Sequence, residues 1–190
     1  PTLPSPDGGA QQILDVVDFI VGAREVRELD CNTIVRASGT VLIEGVVRTP
    51  DGASPGADGC SIAIEAEGDI VVTGQVVAGD GADGASGEDG GDGGTVTLRS
   101  ASGSITIGAQ AAPESAPAQG AEALIRTGDG GAGGADDGDG HCGAGGEGGN
   151  LTLDASTGAV TIHQTPGLLH LGDGGDGGDS VYQQADLDDV

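Results

Sequence analysis

Apolar residues alternate with polar or small ones in short bursts along this chain, and the bursts return in a fixed order. From Asn32 the chain reads as an alternating segment, a turn ending at Gly39, a second alternating segment and the apolar pair Val46-Val47. The same order restarts at Ser61, with Gly68 and Val76-Val77, and at Thr95, with Gly103 and Leu124-Ile125. It restarts again at Asn150, with Gly158 and Leu168-Leu169. Alternation at period two is the mark of a half-buried strand. In the second strand of each unit the inward pairs are Val41 and Ile43, Ile70 and Val72, Ile105 and Ile107, Val160 and Ile162. Gly39, Gly68, Gly103 and Gly158 fall where a sharp corner calls for a positive φ.

Three short strands per unit, repeated whole and in the same order, predict an all-β fold. The form expected is a short parallel β-solenoid of about four to five coils, stacked about 4.8 Å apart. An antiparallel sandwich fits less well, because it needs hairpin turns between successive strands. The corner glycines lie 29, 35 and 55 residues apart while the strands keep their lengths, so the spare residues loop out after the third strand. The chain then divides into an N-terminal extension (1–15), one solenoid domain (16–180) with insertions at 50–59, 79–94, 128–149 and 172–180, and an acidic tail (181–190). Residues 13–26 read as an irregular first coil with Val17, Phe19 and Val21 on one face, or as a capping helix; the β-rich Phe19-Ile20-Val21 favours the coil. Phe19 at one end and Val181 and Tyr182 at the other are the expected plugs and assembly ends.

Within the insertions glycine returns every third residue: Gly81, Gly84, Gly87, Gly90 and Gly93, then Gly140, Gly143, Gly146 and Gly149, then Gly172, Gly175 and Gly178. Three residues is the period of the polyproline II helix, and glycine lets one such helix lie against another. The insertions are therefore expected to stack along one edge as polyproline II-like rods. The alternative is flexible, solvated linkers.

Composition narrows the function. Of 190 residues 40 are Gly, Phe19 and Tyr182 are the only aromatics, and there is no Lys, Met or Trp. Such a chain suits a thin stack of small apolar side chains. A net charge of -25 repels nucleic acid and anionic membrane, so neither is an expected partner. No run of 18 apolar residues is present, so no membrane insertion is expected. Asp abounds in the glycine rows, and residues 174–182 match a calcium-binding nonapeptide once, which makes Asp173, Asp176 and Asp179 candidate calcium ligands. Cys31 and Cys60 each stand eight residues before a corner glycine, which places them on adjacent coils within disulfide reach. Matching Ile34 to Ile64 instead shifts the register by one and turns Cys31 outward. Cys142 is left over, free or intermolecular. The carboxylates sit in glycine rows rather than beside an apolar pocket, and no catalytic set stands out, so no enzyme is expected.

The stretch Val17 to Gly59 resembles the start of glycine-rich β-helix proteins secreted by bacteria, through Asp18-Phe-Ile-Val21, Arg36-Ala-Ser-Gly-Thr-Val-Leu-Ile-Glu-Gly45 and the Gly/Asp linker that follows. The glycine rows are similar to the polyproline II bundles of phage tail adhesins and glycine-rich antifreeze proteins. The resemblance implies a surface, adhesive or structural protein. The expected function is a non-enzymatic extracellular structural subunit that self-associates end to end into a homopolymeric filament or matrix. The alternative is an adhesin that binds glycan, a cell surface or calcium through its Gly/Asp edge.

Overall fold

The computed structural model describes residues 12–31, 33–108, 124–163 and 169–179. Among them there is no helix. The first circuit of the chain contributes β1 (Gln12–Val16), β2 (Phe19–Val21) and β3 (Val26–Glu28). The second contributes β4 (Thr33–Ala37), β5 (Val41–Ile43) and β6 (Val46–Arg48), and the third β7 (Ile62–Ala66), β8 (Ile70–Val72) and β9 (Gln75–Val77). The fourth contributes β10 (Val96–Ser100), β11 (Ile105–Ile107) and β12 (Leu124–Arg126), and the last β13 (Leu151–Ala155), β14 (Val160–Ile162) and β15 (Leu169–His170). Each circuit adds one strand to each of three five-stranded sheets, ordered β1-β4-β7-β10-β13, β2-β5-β8-β11-β14 and β3-β6-β9-β12-β15. Every pair is parallel. The result is an all-β, parallel β-solenoid-like fold.

The period-two pattern decides which residues meet inside. Val35, Ile64 and Leu98 stack from the first sheet, Ile43, Val72 and Ile107 from the second, and Val47, Val76 and Ile125 from the third, all fully buried. Burying a side chain of this size contributes about 1.5–3 kcal/mol. The outward positions of the first sheet form a column of alternating charge, Asp15, Arg36, Glu65, Arg99 and Asp154, each beside its neighbour in register. Within it Arg36 reaches Glu65 at 2.9 Å and Arg99 reaches Asp154 at 3.6 Å.

Three sequence expectations are corrected. Residues 12–15, assigned to the extension, belong to β1. Val17 does not share the buried face of Phe19 and Val21: it lies in the turn after β1 and is 72% exposed. The corner glycines do not adopt positive φ, which is confined to Gly56, Gly87, Gly108, Gly138 and Gly140 among the described glycines. Their reason is contact. A Cβ on Gly68 falls 2.9 Å from the Gly39 oxygen, and one on Gly158 falls 2.1 Å from the Gly103 oxygen. The corner is a column of backbones too close for any side chain.

Candidate functional site, a glycine-aspartate edge

Every circuit after the first sends a glycine-rich run out from its third sheet. Polar side chains buried at the junction aim it. Thr127 Oγ1 donates to the Gly149 carbonyl at 2.9 Å and accepts from the Gly172 N–H at 2.7 Å. Thr49 does the same work two circuits earlier, donating to the Cys60 carbonyl at 2.5 Å and accepting from the Gly79 N–H at 3.2 Å.

Each full run then reverses. Gly91 N–H donates to Ala82 and Gly94 N–H to Gly79, so 79–85 and 88–94 lie antiparallel, with the reversal at Gly87 (φ 75°). Gly143, Gly146 and Gly149 donate to Gly134, Gly131 and Gly128 in the same manner. One run per circuit was the sequence expectation; a going and a returning run is the finding. Returning runs also bond to the going run of the next circuit, as Gly131 N–H to Gly91 and Gly128 N–H to Gly94. The close approach excludes side chains at these glycines: a Cβ on Gly131 meets the Ala82 oxygen at 2.1 Å, and one on Gly93 meets the Gly128 oxygen at 2.0 Å.

Stacked runs are tied by an Asp-Gly clasp. The Gly81 N–H donates to the Asp129 carbonyl at 2.8 Å while Asp80 Oδ1 accepts from the Asp129 N–H at 2.8 Å. One Asp-Gly pair thus grips both backbone groups of one residue in the next circuit. The clasp occurs seven times, at Asp51, Asp58, Asp80, Asp83, Asp89, Asp92 and Asp129. The gripped residues are Asp80, Asp92, Asp129, Ala132, Ala144, Glu147 and Asp173, so the clasp reads backbone and ignores the side chain. Arg126, half-buried, bridges the carboxylates of Asp80 and Asp129 at 3.1 and 2.6 Å. Burial pushes the Asp129 carboxyl up, but the Asp173 N–H and the Arg126 guanidinium outweigh it and hold the group below the usual carboxylate range. At the reversal, the Asp139 N–H, with help from His141, holds Asp137 low in the same way.

Scanned against protein-family models, curated proteins and solved structures, the chain has no match. The reading of this edge therefore rests on its geometry.

Cys31 and Cys60 are joined by a disulfide with Cα atoms 4.9 Å apart. The observed register pairs Ile34 with Ala63 and Val35 with Ile64, so the corner-glycine count is the frame the chain uses. Asp173, Asp176 and Asp179 lie along one extended run. Three residues of such backbone span about 9 Å, too far for successive carboxylates to share one ion. Among the described residues no group of three or more His, Cys, Asp or Glu is arranged to hold a metal. Phe19 is 4% exposed, inside the first circuit. Val181 and Tyr182 lie outside the described residues, as does the acidic tail. Cys142 is the one free cysteine among the described residues, partly exposed beside His141 at the outer tip. The clasp was the feature sequence reasoning missed; its signal is Asp-Gly recurring at one phase of the three-residue period.

Proposed function

We propose that this chain is a non-enzymatic structural subunit of an extracellular filament or matrix. In this reading it is a five-coil β-solenoid flanked by a bundle of polyproline II runs, and it joins its neighbours end to end. The observation that carries the reading is the last circuit. Its inward positions, in register with the core above, are Leu151, Leu153, Ala155, Val160, Ile162 and Leu169, all apolar. Val160 is 41% exposed and Ile162 and Leu169 38%, where Ile105, Ile107 and Ile125 one circuit earlier are fully buried. An apolar patch at the end of parallel sheets, rimmed by strand edges that no described strand pairs, is a joining surface. The polyproline II assignment is supported by hydrogen bonds at every third residue and by the absence of room for side chains. The Cys31–Cys60 bond supports an oxidising, extracellular setting.

A second copy stacked head to tail brings Asp15 over Asp154 at the end of the charge column, and each chain carries a charge of -25. Repulsion opposes the joint, so added salt strengthens it by screening. Sedimentation across protein concentration and ionic strength tests the proposal, with micrographs of the same samples. The expected outcome is salt-promoted growth into rods, abolished by Ile162→Asp. A wild-type chain that stays monomeric at every concentration and salt level sinks it. A second reading makes the Gly/Asp edge a module for glycan, bound through calcium held between a single carboxylate and the sugar hydroxyls. It rests on Asp173, Asp176 and Asp179, whose carboxylates accept no hydrogen bond from a described residue. Chelator-sensitive glycan binding by the monomer is the result that favours it.

A further inference from the structure

The last glycine-rich run, residues 172–179, repeats the machinery of the earlier ones with no described residue laid over it. It is held from below: Gly175 N–H donates to Gly146, Gly178 N–H to Gly143, and Asp173 N–H to Asp129 Oδ1. On its far side it carries two more Asp-Gly pairs, Asp173-Gly174 and Asp176-Gly177, spaced three residues apart like the filled pairs Asp80/Asp83 and Asp89/Asp92. Neither Gly174 nor Gly177 donates its N–H to a described residue. A second observation is independent of the hydrogen bonds. At Gly81, Gly84, Gly130 and Gly133, the corresponding glycines of earlier circuits, an added Cβ strikes the returning run at 2.0, 2.2, 2.3 and 2.2 Å. At Gly174 the nearest atom is 3.5 Å away, and at Gly177 nothing lies within 4 Å. Neither has a positive φ. Glycine stands at both positions although nothing among the described residues crowds them.

We infer that this run is a docking edge for an extended glycine-rich segment of Gly-Gly-X sequence on another protein. The seven filled clasps define what fits: a backbone offering an N–H and a C=O at every third residue, with glycine between and no demand on X, since Ala132 and Ala144 are gripped as well as Asp129. Residues 180–190 contain no glycine. The stretch that leads into β1 of a second copy stacked head to tail, residues 1–11, holds a single Gly-Gly pair, Gly8-Gly9. Neither stretch supplies the two successive Gly-Gly-X triplets that Asp173-Gly174 and Asp176-Gly177 are spaced to grip. The inference goes beyond that reading and concerns a different surface from the apolar joint.

The test is a titration of the full, isotope-labelled chain with the peptide acetyl-(Gly-Gly-Ala)4-amide, followed by amide shifts at a protein concentration where sedimentation shows monomer. The expected result is saturable shifts centred on Gly174 and Gly177, with a dissociation constant in the millimolar range for a few net hydrogen bonds. D173A/D176A should weaken binding at least about tenfold, while D173N/D176N, which keeps the side-chain oxygens, should restore most of it. Acetyl-(Val-Gly-Ala)4-amide should leave both amides unmoved. No shift at Gly174 and Gly177 overturns the inference, as does equal binding of the two peptides. Shifts at the same two amides on raising protein concentration without peptide overturn it as well, because the occupant is then a second copy. Assembly measured without peptide judges the end-to-end joint separately.

Discussion

The sheets and the glycine runs stack along the same direction in one molecule, yet they are held by opposite means. In the sheets, side chains do the work: Ile64, Leu98, Ile107 and their neighbours exclude water, and the outward positions are free to be charged. In the runs, side chains are nearly absent, and backbone groups meet directly at hydrogen-bond distances of about 2.7–3.0 Å, as in Gly84 to Ala132 and Gly131 to Gly91. A hydrophobic core tolerates a change of shape but not a loss of volume. A backbone array tolerates neither added volume nor a lost acceptor, because each N–H left unpaired costs the full desolvation penalty. The charge of the chain divides along this line. Glu28, Glu65 and Asp154 on the sheets pair with Arg, whereas seven Asp in the runs accept a backbone N–H from the next circuit and so serve the fold itself.

The largest expected effect breaks the sheet side. Leu98→Ala removes a fully buried side chain from the fourth circuit and should cost about 2–5 kcal/mol in denaturant unfolding, taking sheets and runs together. If only the sheets loosen while the runs hold, the two layers do not depend on each other. The next breaks the run side. Gly131→Val drives a side chain into the Ala82 oxygen and should cost about 1–3 kcal/mol, with amide exchange rising in 79–94 and 128–149 ahead of the strands. An unchanged exchange pattern there rejects the close-packed account. The smallest sharpens the role of Asp. Asp80→Ala opens one clasp and should cost about 0.5–1.5 kcal/mol, with Asp80→Asn closer to wild type. Equal effects of the two would make charge, and not the accepted hydrogen bond, the reason for Asp.

Acid applies the same test to Asp129. Its folded pKa lies below the ordinary value of 3.8, so its stabilisation is complete above that value and is lost as pH falls through the folded one. Exchange at Asp173 and in 128–134 should therefore rise below about pH 4 before the strands open. Simultaneous loss would place the acid-sensitive group in the sheets.

Much of the sheet layer was legible because burial imposes a period of two, and Val41, Ile43, Ile70, Val72, Ile105 and Ile107 turn inward as their pattern requires. Val160 and Ile162 follow the pattern but lie exposed, since the alternation tells which way a residue faces and not whether another circuit covers it. The runs were legible only as a period. The row of glycines passes through Gly87 without a break, so the reversal there left no mark on the spacing. Asp in a glycine-rich linker reads as solubility until the residue it grips, up to 55 positions away, is known. For the corner glycines the sequence suggested backbone conformation where contact is the cause.

The measurement that bears most directly on the two-layer account is residue-resolved amide exchange of the native chain at neutral pH. Gly81, Gly84, Gly91, Gly130, Gly131 and Gly146 donate N–H groups within the runs, and they should be protected to the same order as Val96 and Ile105 in the strands. Gly138, whose N–H meets only the nearby Asp136 carboxylate at the exposed tip, should exchange faster. Exchange of all the run glycines at the rate of an unstructured peptide, with the strands still protected, would contradict the account and return the runs to linkers.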